Sequence, residues 1–152
     1  MVDTVNLWQS LGPYASLLRL EGLEFRSYQY NIINSIINNG NTLVVLPTGL
    51  GKTFIAIALI ARCIYEGKRA LFLAPTKPLA EQHFNTIVQS LTVPSADIGL
   101  LIGSTNKRER EFIEQNAKVI VATPQTIVND LKSGKLSLVG FGIGIFDECH
   151  HA

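Results

Sequence analysis

The chain has 152 residues, of which 47% are hydrophobic and 16% charged, and its mean hydropathy is +0.24. This composition is typical of one compact domain and excludes a disordered or low-complexity chain. Because 13 basic and 12 acidic residues leave a net charge of +1, any nucleic-acid binding would depend on local geometry and not on a strongly basic surface.

The longest apolar run, residues 54–61, is too short to span a bilayer, and the N-terminus lacks the pattern of a signal peptide. Cys63 and Cys149 lack the spacing of a zinc site and are predicted to be reduced thiols. We therefore expect a protein without membrane attachment that is not secreted, located in the cytoplasm of a prokaryote or the nucleus of a eukaryote.

The first part of the chain contains one unassigned segment and one predicted helix. Residues 1–24 are rich in leucine and match no motif, so we treat them as an N-terminal segment of unknown role. The domain proper is predicted over residues 25–152. Residues 31–39 place isoleucines on one helical face, and Gly40 is well suited to end that helix.

A strand, a glycine-containing loop and a helix then follow one another. Apolar residues 42–45 predict the strand, and residues 53–66 predict a buried helix closed by Gly67. In this setting a G-K-T tripeptide indicates phosphate binding, because backbone N–H groups and the positive end of the helix converge at the loop. The predicted nucleotide-binding residues are Pro47, Thr48, Gly49, Leu50, Gly51, Lys52 and Thr53.

Each residue type in this loop has a chemical reason to be there. Gly49 and Gly51 would allow the chain to curl around phosphates. Lys52 would contact the β- and γ-phosphates, and the Thr53 hydroxyl would ligate Mg²⁺. Leu46 stands where the general phosphate-loop pattern has its first glycine. The alternative, a glycine turn that only separates a strand from a helix, is weakened by a second motif.

The second motif is a pair of carboxylates, Asp147 and Glu148, directly after the apolar segment 141–146. Asp147 would hold Mg²⁺ through water, and Glu148 would orient and deprotonate the water that attacks the γ-phosphate. Taken alone, the pair could equally be an ordinary solvated loop. Together with Lys52 it favours a catalytic site.

Strands and helices alternate between the two motifs. Strands are predicted at residues 70–74, 98–102 and 119–122, and helices are predicted to start around Pro78, Asn106 and Thr123. This alternation predicts an α/β fold with a parallel sheet, in which ligands bind at the carboxyl ends of the strands. The mixed charges of residues 107–111 indicate a solvated helix face, and His83 is interpreted as a polar position on its helix.

Several motifs in a fixed order resemble the first RecA-like lobe of the superfamily 2 DExH-type helicases and translocases. They are L-P-T-G-L-G-K-T (46–53), A-P-T-K-P-L (74–79), A-T-P (122–124) and D-E-C-H (147–150). More narrowly, the chain is similar to the archaeal Hef and eukaryotic FANCM/Mph1 branch, and Leu46 fits because phosphate loops of this family tolerate a residue other than glycine there. The resemblance implies a three-layer RecA-like P-loop NTPase domain with a central, mainly parallel sheet.

The resemblance also implies roles outside the phosphate loop. Arg26 and Gln29 would bind the adenine base or the adjacent phosphate, and His150 would couple the nucleotide site to the nucleic-acid-binding face. Three loops would contact the nucleic-acid backbone without reading its sequence. They comprise Pro75, Thr76 and Lys77, then Gly103 and Ser104, then Thr123 and Pro124. For each loop alone, ordinary turn or capping chemistry is an equally good interpretation.

The function that the resemblance implies is ATP- and Mg²⁺-dependent movement on DNA, branched DNA included, in repair or replication-fork processing. Two alternatives stay open. D-E-C-H is frequent among Dicer-like RNA helicases, so a DExH RNA helicase or RNA-sensing ATPase is the first. A non-catalytic nucleic-acid-binding fragment is the second, and the intact set of loop and acidic residues argues against it.

In this family a further strand lies between the phosphate-loop strand and the acidic-motif strand, and a second RecA-like lobe supplies an arginine finger. Neither is expected within residues 1–152. An incomplete sheet with an apolar edge is expected to favour self-association of the chain.

We predict that residues 1–152 alone hydrolyse ATP very slowly and unwind no nucleic acid. Absence of an arginine finger lowers turnover by on the order of 10³–10⁵-fold in related nucleotide hydrolases. Phosphate release measured with and without DNA checks this expectation, and robust nucleic-acid-stimulated turnover by these residues alone would contradict it.

Overall fold

The computed structural model describes residues 13–19, 43–47 and 52–148. Five strands form one sheet: β1 (Leu43–Pro47), β2 (Arg69–Leu73), β3 (Ile98–Leu101), β4 (Val119–Ala122) and β5 (Phe141–Glu148). The α-helices are α1 (Lys52–Tyr65), α2 (Lys77–Ser90), α3 (Lys107–Asn116) and α4 (Pro124–Lys132), and Pro13–Leu17 and Ser95–Asp97 form short 3₁₀ helices. The predicted alternation is confirmed, while the helix predicted at 31–39 lies outside the described residues.

The strands lie in the order β1-β5-β2-β4-β3, and every neighbouring pair is parallel. The further strand that the resemblance places between β1 and β5 was not expected within residues 1–152, and in the described part of the chain these two strands are direct neighbours. Leu46 lies opposite Asp147, and Pro47 lies opposite Glu148. The end of β1 and the acidic end of β5 are therefore about one strand spacing, ~4.8 Å, apart.

Helices cover both faces of the sheet, which confirms the three-layer α/β architecture. Ala70 and Phe72 of β2 belong to the core cluster formed with α1 and α2, whereas Leu71 belongs to the cluster formed with α3 and α4. A strand that is buried on both faces needs apolar residues at successive positions, which explains the continuous apolar run around β2. Among the described helices, none is long and apolar enough to cross a membrane.

Residues 13–19 pack against this lobe. Tyr14 and Leu18 are buried in the core cluster that contains α1. Leu18 forms an isolated antiparallel bridge with Leu91, and the Arg19 Nε donates to the Leu91 carbonyl at 3.1 Å. This part of the segment of unknown role therefore stabilises the end of α2.

Polar residues occupy the N-cap positions of α3 and α4. The Asn106 Oδ1 accepts a hydrogen bond from the Glu109 amide at 2.9 Å, as the sequence predicts for the N-cap of α3. Thr123 occupies the predicted N-cap position of α4, but its side chain makes no capping bond. The Thr123 and Thr126 hydroxyls are instead 2.9 Å apart and bond to each other.

Cys63 is a buried free thiol on α1. Its Sγ donates a hydrogen bond to the Arg69 carbonyl at 3.2 Å. Burial raises the pKa of Cys63, because the thiolate would be poorly solvated there.

Arg69, at the start of β2, ties the sheet to the C-terminal end of α3. Its Nε donates to the Ala117 carbonyl at 2.8 Å, and its Nη2 donates to the Ile113 and Glu114 carbonyls at 3.2 and 2.9 Å. The guanidinium also lies over the Phe141 ring, 4.6 Å from its centroid. The Ile113 carbonyl also accepts from the Ala117 amide, whereas the last carbonyls of a helix lack partners within it, so Arg69 supplies a charged donor where α3 ends.

We predict that Arg69→Met lowers the free energy of unfolding by about 2–3 kcal/mol, because these carbonyls lose a charged donor. Urea unfolding measures the change. Lys68→Met, at the exposed neighbouring position, is the control and should stay within about 0.5 kcal/mol of wild type. Equal losses in the two variants would show that the carbonyl contacts are unimportant.

Candidate nucleotide and nucleic-acid site

The predicted site residues in the described part of the chain lie at, or just beyond, the carboxyl ends of strands. Candidates for nucleotide and metal binding follow β1 and β5, which are neighbours. Candidates for nucleic-acid contact follow β2, β4 and β3, which continue the sheet in that order. The order of the strands therefore separates the two groups of residues along one edge.

The phosphate-loop candidates lie between a strand and a helix, as predicted. Pro47 ends β1, Lys52 begins α1, and Thr53 is half-buried in the first turn. The free N–H groups and the positive dipole of α1 are therefore directed toward the loop at residues 48–51. That loop, Arg26, Gln29 and His150 are outside the described residues.

Asp147 is a buried carboxylate at the end of β5, with 2% of its surface exposed. Its Oδ2 lies 2.6 Å from the Nε2 of His83, which is itself buried. An ionised carboxylate can only accept a hydrogen bond, so the imidazole nitrogen donates. A carboxylate and a threonine hydroxyl are hard oxygen ligands, so Asp147 and Thr53 fit the preference of Mg²⁺.

The interpretation of His83 as an ordinary polar helix position was wrong. The residue is 8% exposed, and its ring packs against Phe72 with the centroids 4.8 Å apart. Ala80 and Ile87 are also buried on α2, three positions before and four after His83. This helical period was visible in the sequence and could have placed the imidazole on the inner face of α2.

The loop after β2 is open to solvent. Pro75, Thr76 and Lys77 are all exposed. The Thr76 Oγ1 accepts a hydrogen bond from the Leu79 amide at 3.4 Å, so the loop is fixed to the first turn of α2. Lys77 stands at the helix start with its charge in solvent, a position compatible with contact to a phosphate.

The loop after β3 is also open and has a defined shape. Gly103 and Ser104 are exposed. The Thr105 hydroxyl donates to the Leu100 carbonyl at 3.0 Å and accepts from the Ile102 amide at 3.1 Å. This side chain closes the turn, which leaves the two candidate residues at its outer side.

The loop after β4 is less open than the other two. Thr123 and Pro124 are only partly exposed. The bond between the Thr123 and Thr126 hydroxyls occupies the side chain that the sequence proposed for nucleic-acid contact.

Residues 22–152 match the family described as "Type III restriction enzyme, res subunit". The chain belongs to this family. The helicase domain of Hef from Pyrococcus furiosus has a similar structure, with a TM-score of 0.78 and 42% identity over 87% of this chain and 28% of that one. The chain is thus a first RecA-like lobe of superfamily 2, as the motifs predicted.

Two curated relatives are helicases by name. One is described as a candidate ATP-dependent RNA helicase of Methanocaldococcus jannaschii and is 40% identical over 137 residues, which are 89% of this chain and 17% of that protein. The other is the ATP-dependent DNA helicase MPH1 of Candida albicans, 37% identical over 131 residues, or 85% of this chain and 11% of that protein. The chain therefore spans less than a fifth of the length of either relative.

In this RecA-like lobe, an ion pair contacts the elements next to the loops after β3 and β4. The Arg110 Nη1 donates to both carboxylate oxygens of Asp130, at 3.3 and 3.1 Å, and the Nη2 donates to the Ile102 carbonyl at 2.9 Å. Ile102 precedes the loop after β3, and Asp130 belongs to α4, which begins at the loop after β4. The prediction that residues 107–111 are a solvated face was therefore wrong for Arg110.

Glu114 lies beside this ion pair and is 6% exposed. Burial raises the pKa of its carboxyl group to about 7, and a hydrogen bond to Asp130 and the Asp130 charge raise it as well. Among the described residues, no donor reaches the Glu114 Oε2. The RecA-like lobe thus contains a carboxyl group that keeps its proton to a higher pH than an ordinary glutamate does.

This raised pKa predicts that stability falls as the pH rises from about 5 to 8. The unfolded carboxyl loses its proton at lower pH than the folded one, so the unfolded state binds fewer protons in this range. Glutamine does not titrate, so the unfolding free energy of Glu114→Gln should rise relative to that of wild type by on the order of 1–3 kcal/mol between pH 5 and pH 8. Urea unfolding at both pH values measures it.

Glu111→Gln is the control for the loss of a negative charge, because Glu111 is an exposed residue of the same helix, α3. A parallel pH dependence of wild type and Glu114→Gln would contradict the assignment of the raised pKa to Glu114.

Proposed function

We propose that residues 25–152 are the ATP-binding lobe of an ATP-dependent DNA helicase or translocase. Its substrate would be DNA, branched structures included, in repair or replication-fork processing. The observation that carries the proposal is the arrangement of β1, α1 and β5. The strand before the G-K-T loop pairs directly with the strand that ends in Asp147 and Glu148, so phosphate-binding and acidic residues share one edge.

The nucleotide would be held by backbone and side-chain groups at the start of α1. Amides of residues 48–51 surround the phosphates in this proposal, and the ammonium group of Lys52 neutralises the β- and γ-phosphates. Arg26 and Gln29 hold the adenine end. None of these roles requires a residue from α3 or α4, so nucleotide binding is confined to one side of the lobe.

Thr53 and Asp147 would hold Mg²⁺, which supplies positive charge to the phosphates when bound. Glu148 orients the attacking water and accepts its proton. The two carboxylates are consecutive residues at the end of β5, and this end of the strand pairs with the end of β1.

The loops after β2, β4 and β3 would hold the nucleic-acid backbone, and His150 would connect them to the nucleotide site. A second RecA-like lobe would complete the ATP site and supply the arginine finger. Opening and closing between lobes would then move the protein along a strand. Such a protein acts in the cytoplasm of a prokaryote or the nucleus of a eukaryote.

An RNA helicase is the second candidate function. The similar protein of M. jannaschii is described as a candidate RNA helicase, and the D-E-C-H motif is compatible with that class. Backbone contacts through exposed loops do not distinguish the two polymers by themselves, because both carry phosphates. The two candidates differ in which polymer stimulates hydrolysis.

Lys52→Ala tests the proposed function in the full-length protein. We expect DNA-stimulated ATP hydrolysis to fall by about 10²-fold or more, because a positive charge at the transferred phosphate is lost. Turnover is measured with forked DNA, single-stranded DNA and double-stranded RNA.

Lys68→Ala removes a lysine at the opposite, amino end of the sheet and should leave turnover unchanged. Stimulation by RNA alone would favour the second candidate. Turnover that does not depend on Lys52 with any of the polymers would reject both.

A further inference from the structure

One helix contacts both halves of the site. α2 begins directly after Thr76, within the loop proposed to contact the nucleic-acid backbone. Seven residues later on the same helix, His83 reaches the Asp147 carboxylate at 2.6 Å. Seven residues of α-helix correspond to about two turns, or ~10 Å. The helix thus connects the nucleic-acid loop to the proposed magnesium ligand.

We propose that His83 is a positioning residue that couples nucleic-acid binding to the orientation of Asp147. The inference rests on the proposed function, because it takes the loop at residues 75–77 as a nucleic-acid contact and Asp147 as a ligand of Mg²⁺. It adds a route through α2 that does not depend on His150.

The contact between His83 and Asp147 is buried. Both residues are buried, and Phe72 of β2 packs against the imidazole ring. A hydrogen bond to a carboxylate is stronger in a buried site than in water, because little solvent competes for either group. Movement of the Asp147 carboxylate away from His83 is therefore unfavourable unless His83 follows.

The packing of α2 favours the transfer of a movement from the loop at residues 75–77 to His83. Ile87 and Leu91, near its C-terminal end, are almost completely buried in the core. At the N-terminal end, Thr76 and Lys77 are exposed to solvent. Ala80, between this exposed end and His83, is fully buried, so the first two turns are packed as one rigid helix and a shift of the first turn displaces His83.

The sheet also brings the loop after β2 close to Asp147. β2 and β5 are neighbours, and Leu73 lies opposite Phe146. The loop after β2 and the carboxylate that follows Phe146 are therefore adjacent at the edge of the sheet. The contact of His83 with Asp147 joins α2, which follows the loop after β2, to the acidic end of β5.

Two amides of different length provide matched variants. The Gln side chain of His83→Gln can place an N–H near the position of Nε2, whereas the shorter side chain of His83→Asn cannot. Gln82→Asn, at the exposed neighbouring position, is the control. Thermal unfolding establishes that each variant is folded, and His83→Leu replaces His83→Asn if the latter does not fold.

The measured quantity is the coupling between two ligands of the chain, not turnover. Fluorescence anisotropy gives the affinity for a labelled single-stranded oligodeoxynucleotide with and without Mg²⁺ and a non-hydrolysable ATP analogue. The ratio of the two affinities is the coupling factor, for which about 5–150-fold is typical of allosteric proteins. The affinity for the analogue with and without DNA must give the same factor.

We expect a coupling factor that differs from one in wild type, His83→Gln and Gln82→Asn, and a factor close to one in His83→Asn. Each ligand alone should bind His83→Asn within about threefold of wild type, because no direct contact to either is removed. A wild-type factor in His83→Asn, or no coupling in wild type, would overturn the inference and leave the proposed function intact. Failure of wild type to bind either ligand would overturn both.

Discussion

The parallel alignment of the five strands is the constraint on which the site depends. Parallel strands all end at the same edge of a sheet, so loops that are distant in sequence meet on one surface. The strand order decides which loops are neighbours there. β5 lies between β1 and β2, and its acidic end therefore adjoins both the end of β1 and the loop that starts α2.

The same alignment restricts where polar chemistry can occur. Both faces of the sheet are covered by helices, so its middle accepts apolar residues only. Two polar pairs lie beside the loops, His83 with Asp147 and Arg110 with Asp130. A buried pair that satisfies its hydrogen bonds fixes the relative position of the two elements that carry it. These pairs give the loop edge a rigidity that the exposed loops lack by themselves.

The sequence predicted elements well where a local pattern defines them. A nearly continuous apolar segment predicted a helix at 53–66, and the structure has Lys52–Tyr65. The short apolar run at 70–74 predicted a strand, found at Arg69–Leu73. Both patterns involve residues that are close together in the sequence, so local spacing is sufficient to detect them.

Contacts between distant residues were not predicted. His83 and Asp147 are 64 residues apart, and Arg110 and Asp130 are 20 apart. A charged or polar side chain was assigned to the surface by its type, because the partner that makes its burial favourable could not be seen in the sequence. Likewise, the pairing of β1 with β5 depends on the register of two strands that nearly the whole lobe separates.

The buried thiol of Cys63 has a practical meaning. It lies where α1 passes the first residues of β2 and β5, and a Cβ at Gly142 would come within 2.9 Å of the sulfur. A thiol reagent can therefore react only after the helix separates from the sheet at this end. When Cys149 is replaced by serine, the rate at which Cys63 is alkylated measures how often the lobe opens at this end. If ligand binding leaves this rate unchanged, the effect of the ligand is limited to the opposite edge of the sheet. Slower alkylation would mean that the ligand also stabilises the packing of α1 against the sheet.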